Sequence, residues 1–296
     1  MTFKNRRLLF AVTAILLLIF ISILPGTVQA SQDKGDPWPE VLEEGSGTIK
    51  ALYVPADGFA YKDDSGKLTG VSVELLREFV QFVSVTYDAD LDIVFEEEEN
   101  WSRFYQRVVD GQDGLIGFGN VTITEERRSE LAFSPSYMTN IASLVTHENA
   151  PGLEAPERIG KTFSGRDALA FEGTLHENRL TEIVSKYHPD AEIIMAHSNA
   201  EIIEKLSSGD AYFAYIDLYN YWRAREEGAP LQRHDVADES AEEFGYIMPL
   251  ESTWEPVVKQ FFGKNGGITQ TEKYREIMKK HLGTELARTL LDAADQ

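Results

Sequence analysis

Apolar residues of the chain follow two alternating patterns from Thr48 onwards. Unbroken apolar runs, such as Ile49 to Val54 and Leu115 to Phe118, predict buried strands. From Ser72 to Val85 and from Trp101 to Asp110, apolar residues instead recur every three or four positions, which is typical of helices with one buried face. The alternation of strands and helices predicts an α/β fold with helices on both faces of a sheet.

A second alternating series begins after residue 140, so the chain is expected to form two α/β lobes. The further strands are predicted at Leu91 to Phe95, Ile141 to Val145, Ala168 to Phe171, Ile193 to Met195 and Ala211 to Tyr215. The further helices are predicted at Leu175 to Tyr187, from Ala200, at Thr253 to Phe262, at Thr271 to His281 and at Thr284 to Asp292. Asn100 is a suitable N-cap for the helix that begins at Trp101.

The N-terminus predicts export. Lys4, Arg6 and Arg7 precede the apolar run Leu8 to Leu24, and small residues follow up to Ala30, as in a cleaved secretory signal peptide of residues 1–30. The alternative is an uncleaved membrane anchor, since the run is only slightly shorter than the roughly 20 residues that span a bilayer. Residues 31–46 are rich in Gly, Pro and acids without apolar periodicity, and predict a flexible leader.

Composition narrows the range of functions. The formal net charge is -21, and it becomes -24 without the three basic residues of the signal peptide. A surface with this excess of negative charge repels phosphate backbones, which argues against nucleic-acid binding. Cysteine is absent and the six histidines show no metal spacing, so neither a metal nor a cofactor is expected. The usual catalytic motifs, such as the nucleophile elbow and the phosphate loop, are missing as well.

The stretch from Gly119 to Arg128 is the most informative for chemistry. Thr124 can cap a short helix in which Arg127 lies in the first turn, and Thr122 precedes it. This arrangement brings backbone amides, a hydroxyl and a guanidinium to one point, which suits a carboxylate ligand. The alternative is a surface helix with solvated arginines.

Six motifs, in the same order, resemble those of the family 3 periplasmic solute-binding proteins that serve amino-acid ABC transporters. The strongest is Thr122 to Arg127, which is similar to the family's Thr-Ile-Thr-Pro-Glu-Arg except for Glu125 at the proline. The others are Gly66 to Leu75, Asn100 to Asp113, Phe133 to Tyr137, Gly173-Thr174, and Leu206 to Ala211 with Asp217 after it. The resemblance spans about Gly47 to Gly283.

The resemblance implies a type II periplasmic binding fold, in which two Rossmann-like lobes are joined by two crossing hinge strands. The expected division is residues 47–139 for lobe 1, 140–242 for lobe 2, and 243–296 for the rest of lobe 1 with the C-terminal helices. By the family's pattern, Arg127 holds the ligand's α-carboxylate with help from Thr122, and Asp217 holds its α-ammonium. The alternative for Asp217 is a helix N-cap.

Other residues are expected in the same site. Trp101, Tyr53 and Phe59 would form aromatic walls for an apolar or cationic side chain, although Trp101 also suits a core position. Thr174 belongs to a second-lobe motif. Asn120 departs from the family, because glycine, serine or alanine is common there.

Three functions are consistent with the resemblance. The leading one is a monomeric periplasmic binding protein, without enzymatic activity, that delivers an amino acid or similar zwitterion to an inner-membrane ABC permease. The second is a periplasmic sensor of the same fold that signals to another protein. The third is an enzyme similar to cyclohexadienyl dehydratase, with Glu172 or Glu177 as the acid, although the family's acid position lies nearer His176.

Overall fold

Two five-stranded sheets covered by helices make up the described part of the chain, residues 33–263 and 267–294 of a computed structural model. The predicted signal peptide lies outside the described residues. Within them, no helix has the length and apolar character needed to cross a membrane. The helices are α1 (Trp38–Glu44), α2 (Val71–Tyr87), α3 (Trp101–Val109), α4 (Glu125–Arg128), α5 (Ile159–Thr162), α6 (Leu175–Tyr187), α7 (Asn199–Ser207), α8 (Leu218–Glu226), α9 (Glu255–Gly263), α10 (Glu272–Leu282) and α11 (Thr284–Ala294).

The strands divide between the two sheets and one small hairpin. They are β1 (Ser46–Tyr53), β2 (Tyr61–Lys62), β3 (Leu68–Thr69), β4 (Asp90–Glu97), β5 (Leu115–Phe118), β6 (Leu131–Phe133), β7 (Met138–His147), β8 (Asp167–Phe171), β9 (Ile193–Ala196), β10 (Tyr212–Asp217), β11 (Leu231–Phe244) and β12 (Ile247–Pro249). The first sheet has the order β4-β1-β5-β12-β6, and the second has the order β11-β7-β10-β8-β9. In the first sheet, β1 runs parallel to β4 and β5, while β12 is antiparallel to β5 and β6.

Each sheet buries both faces, as a sheet with helices on both sides must. In β1, Ala51 and Tyr53 pack into one apolar cluster and Leu52 into another. In β10, Phe213 and Ala214 likewise belong to different clusters. Central strands such as β1, β5 and β10 therefore read as near-continuous apolar runs, and the sequence predicted them. The largely polar β11 and the short β6 and β12 were not predicted.

The chain crosses between the lobes twice. It passes from the first sheet to the second between β6 and β7, at residues 134–137, and returns between β11 and β12, at residues 245–246. The two crossing strands are paired, with Phe244 opposite Met138. This is the predicted two-lobed α/β fold. The chain passes from one sheet to the other within a few residues of the boundaries expected after residues 139 and 242.

The predicted flexible leader is wrong for residues 33–46, which are built into the first lobe. Trp38 begins α1 and packs against Trp254 with ring centroids 4.9 Å apart and the ring planes tilted by 55°, and Val41 is buried. Asp33 pairs with Lys50 at 2.8 Å and with Arg107 at 2.7 Å. The composition concealed this helix, because it has only two apolar anchors among acids and prolines.

Candidate ligand-binding site

A cleft between the lobes contains a central cavity of about 60 Å³. Residues from both sheets line it, because the carboxyl ends of β5 and β10 meet there. Such crevices at strand ends are where open α/β sheets bind ligands. The lining residues include Trp101, Asn120, Thr122, Arg127, Phe171, Thr174, His176, Asp217 and Glu242.

Arg127 is fixed by the start of α4. Thr124 is the N-cap of this helix, and its Oγ1 accepts a hydrogen bond from the Arg127 backbone N–H at 3.2 Å. The Arg127 guanidinium donates to the Thr122 carbonyl at 2.9 Å. It lies 5.4 Å from the ring centroid of Trp101 and 5.6 Å from that of Tyr105. The aromatic rings and the carbonyl therefore hold the guanidinium in one orientation.

The Arg127 guanidinium has no counter-ion in the part of the chain that the structure describes. Among the described residues, no carboxylate lies within the 4.0 Å of a salt bridge to it, and burial lowers the pKa of the guanidinium. An unpaired buried charge is unfavourable, and several of its N–H donors still need acceptors. An anion in the central cavity would satisfy both needs.

Asp217 lies across the cleft at the end of β10 and is only 4% exposed. Its carboxylate accepts hydrogen bonds from Asn120 Nδ2 at 2.9 Å and Asn140 Nδ2 at 2.6 Å, and His176 Nε2 lies 3.3 Å away. Asp217 occupies the N-cap position of α8, but its side chain makes no capping bond. The carboxylate is thus directed to the cleft and not to the helix.

A second buried acid extends this network. Glu242 accepts from Asn140 Nδ2 at 2.8 Å and from the Arg179 guanidinium. Arg179 also donates to His176 Nδ1 at 3.2 Å, so His176 carries its proton on Nε2 and donates it towards Asp217. The carboxylates of Asp217 and Glu242 and the guanidinium of Arg179 together carry one formal negative charge on this wall. The opposite wall carries the positive charge of Arg127.

The sequence profile of the bacterial extracellular solute-binding proteins, family 3, matches residues 51–284. The chain belongs to this family. No curated protein sequence matches it significantly.

Solved structures of similar fold include three that cover most of this family 3 chain. A substrate-binding protein of an ABC uptake transporter from Streptococcus pneumoniae, with bound histidine, is 19% identical with a TM-score of 0.66, over 83% of this chain and 96% of its own. An arginine-, lysine-, histidine-binding protein from Geobacillus stearothermophilus is 20% identical with a TM-score of 0.62, over 81% and 98%. An ancestral amino acid-binding protein, a precursor of cyclohexadienyl dehydratase, is 22% identical with a TM-score of 0.60, over 82% and 98%.

Most of the predicted site residues of this family 3 protein meet at the central cavity: Arg127, Thr122, Asp217, Trp101, Asn120 and Thr174. Trp101 forms a wall of the cleft, and its Nε1 donates to the Gly173 carbonyl of the second lobe at 3.1 Å. Gly173 has a φ of 75°, and a Cβ there would come within 2.8 Å of Ser102 Oγ of the first lobe. A side chain at this position would require the Ser102 side chain to shift and would strain the backbone at this positive φ.

Two of the predicted aromatic residues lie elsewhere. Tyr53 lines a neighbouring cavity and not the central one, and its hydroxyl donates to Glu97 at 2.6 Å. Burial and the Glu97 carboxylate both raise the pKa of Tyr53. Phe59 is a correction, because its ring is fully buried in the first-lobe core against Tyr219 and Phe244, with centroids 4.6 and 5.7 Å away.

Sequence reasoning missed the polar groups around Asp217. Asn140 and Glu242 stand on the two crossing strands β7 and β11, and Arg179 stands on α6. His176 was considered only as a catalytic position. Asn140 is a polar residue directly before a predicted buried strand, but nothing in the local sequence indicates which residues it meets.

Proposed function

We propose that this protein is a periplasmic solute-binding protein that captures an amino acid or similar zwitterion between its lobes and delivers it to an ABC permease. The observation that carries the proposal is the unpaired Arg127 guanidinium facing the buried Asp217 carboxylate across one cavity. A carboxylate and an ammonium on one small molecule complement this pair. One of the similar structures contains bound histidine, and another is that of an arginine-, lysine-, histidine-binding protein.

The division of charge between the lobes suggests how binding drives closure. Arg127 belongs to the first lobe and Asp217 to the second. A zwitterion that touches both makes its full set of contacts only when the lobes are together, and such differential contacts shift the population towards the closed state. No bond is made or broken in this cycle.

Native mass spectrometry of freshly purified protein, followed by calorimetry with free amino acids, tests the proposal. We expect a co-purified small molecule that carries a carboxylate, and a radius of gyration in solution scattering that falls as the molecule is added. The proposal fails if no amino acid or related zwitterion binds. The same closure would serve a sensor, and a neighbouring kinase gene in place of a permease gene would favour that role.

A catalytic role has one supporting observation, the His176 imidazole between Asp217 and Arg179 at the central cavity. The acids weighed from the sequence do not line that cavity. Glu172 pairs with His197 at 3.0 Å, and Glu177 accepts from the Gly173 N–H at 2.7 Å. Incubation with prephenate and arogenate tests this role, and turnover that disappears in His176→Gln would support it over simple binding.

A further inference from the structure

A second cavity of about 400 Å³, the side cavity, adjoins the central one. The two cavities share the residues Val54, Pro55, Phe171 and Asn199 as common lining. The side cavity is the larger of the two, so a ligand whose carboxylate lies at Arg127 has room there for its side chain.

Asn199 places an unused acceptor at the junction of the cavities. It is the first residue of α7, and its Oδ1 is buried from solvent without a hydrogen-bond donor among the residues that the structure describes. Buried carbonyl oxygens without donors are rare, since each costs free energy. The group therefore calls for a donor on the ligand.

Carboxylates dominate the rest of the side cavity. Three carboxylates, of Asp57, Glu97 and Glu99, line it with a single lysine, Lys62, so these four side chains carry a formal charge of -2. Hydrogen bonds from Lys62 and Tyr53, both to Oε2, lower the pKa of Glu97, which keeps this carboxyl ionised at neutral pH. Its Oε1 has no donor among the described contacts.

Cations near the cavity do not cancel this charge. The Nε of Arg223 is 3.9 Å from Asp57, the outer limit of an ion pair. His197 of the second lobe also lines the cavity, and its ring Nδ1 is hydrogen-bonded to the Glu172 carboxylate at 3.0 Å. The local potential therefore favours a positive group.

Resting on the proposed function, we propose that the side cavity receives a cationic side chain and that the ligand is a basic amino acid. A guanidinium or ammonium would donate to Asn199 Oδ1 and meet the field of Glu97 and Glu99, and Phe171 offers an aromatic face on the way. An acidic side chain would be repelled. An aliphatic one would leave Asn199 Oδ1 without a donor.

Calorimetry with L-arginine and L-citrulline measures the effect of the side-chain charge on affinity. The two molecules have nearly the same shape, but L-arginine carries a charged guanidinium where L-citrulline carries a neutral ureido group. We expect L-arginine to bind at least about tenfold more tightly. Equal affinity, or tighter binding of L-citrulline or L-glutamine, overturns the inference while leaving the proposed function intact. Failure of every amino acid to bind would instead overturn the proposed function.

Variants on the wall of the side cavity locate the effect. Glu97→Gln and Glu99→Gln should each lower the affinity for L-arginine several-fold and leave the affinity for L-citrulline nearly unchanged. Asp92→Asn, on the same strand as Glu97 but outside the side cavity, removes the same charge and should change neither. Since Glu99 is exposed, its variant cannot fail merely through misfolding. Equal losses for both ligands in both cavity variants would contradict the assignment.

Discussion

The two walls of the cleft differ in how many hydrogen-bond partners surround their charged group. On the first lobe, Arg127 is partly buried beside two aromatic rings, with one carbonyl as acceptor and no counter-ion among the described residues. On the second lobe, Asp217 faces donors on Asn120, Asn140 and His176. One wall lacks a partner and the other is nearly saturated.

This difference indicates a division of labour. A preorganised but unsatisfied cation gains most from a ligand, because part of its desolvation is already complete before the ligand arrives. A carboxylate that already holds several hydrogen bonds gains less per contact and instead fixes the geometry of its wall. We therefore expect affinity to depend mainly on Arg127 and structure mainly on the Asp217 network.

The largest expected effect follows from removing the cation. Arg127→Ala should weaken amino-acid binding by about 2 to 5 kcal/mol, because a ligand carboxylate would be left buried without a charged partner. Calorimetry measures the loss, and circular dichroism checks the fold. Arg128→Ala is the matched control, since Arg128 is the next residue, exposed, and stacked over Phe133 at 5.6 Å. A folded Arg127→Ala with unchanged affinity would remove Arg127 from the site.

The pH dependence of unfolding tests how far the stability of the second lobe depends on buried polar groups whose hydrogen bonds are all made. His234 Nδ1 accepts from the Leu153 N–H at 3.2 Å and Nε2 donates to Thr146 Oγ1 at 2.8 Å, which requires the neutral ring. Burial lowers the pKa of His234 to about 4 from its ordinary 6.5. The unfolded chain binds this proton first as the pH falls from about 6.5 to about 4, so the free energy of unfolding should fall in that window by about 3 kcal/mol.

Urea unfolding at pH 7.0 and 4.5 measures this loss, with His234→Gln as the comparison. Carboxylates such as Glu74 and Glu96, whose pKa values are lowered by ion pairing, begin to lose their contribution near pH 4.5, and they do so alike in both proteins. The variant should therefore show the flatter profile between the two pH values. The same slope in both proteins would mean that His234 does not control it.

A smaller effect is expected at the saturated wall. Asp217→Asn keeps the shape and removes the charge. It also replaces one accepting oxygen with an NH2 donor that faces the donors on Asn120 and Asn140, which should cost about 1 to 3 kcal/mol of stability. The substitution should also weaken the binding of amino acids more than the binding of analogues that lack the ammonium group. Thermal unfolding and paired calorimetry measure both quantities. Equal weakening of the two ligand classes would make Asp217 purely structural.

The smallest effect concerns the bridge between the walls. Asn120→Ala removes the hydrogen bond from the first lobe to Asp217 but leaves Asn140 and His176 in place, so stability should change by about 1 kcal/mol. Without ligand, the lobes should separate more often, and the radius of gyration from solution scattering should rise. An unchanged radius would show that Trp101 and Gly173 alone keep the cleft closed.

Sequence reasoning located the elements well and the network poorly, for a physical reason. Helix α6 and strand β5 have the predicted bounds, because periodicity and strand hydrophobicity are local properties. The cap of α4 was predicted from Thr124 alone, for the same reason. Phe59 was misplaced, because a single aromatic residue has no periodicity to show which way it faces.

Long-range pairings were out of reach. Asn140 and Glu242 are 102 residues apart in the chain and meet only because β7 and β11 pair. The side cavity likewise depends on Asn199 and Glu97, which come from different lobes. No local pattern encodes such encounters, so the family resemblance supplied Arg127 and Asp217 and the structure supplied their surroundings.

The position of β12 in the first sheet sets an order of assembly. It lies between β5 and β6, and β6 has no other neighbour in that sheet, yet more than a hundred residues separate β6 from β12 in the chain. The second sheet is built from one uninterrupted segment, β7 to β11. Because loop closure delays non-local pairing, the second lobe is expected to acquire its amide protection first in pulsed hydrogen exchange, and β6 last. The lobe that begins the chain would be the one that finishes folding.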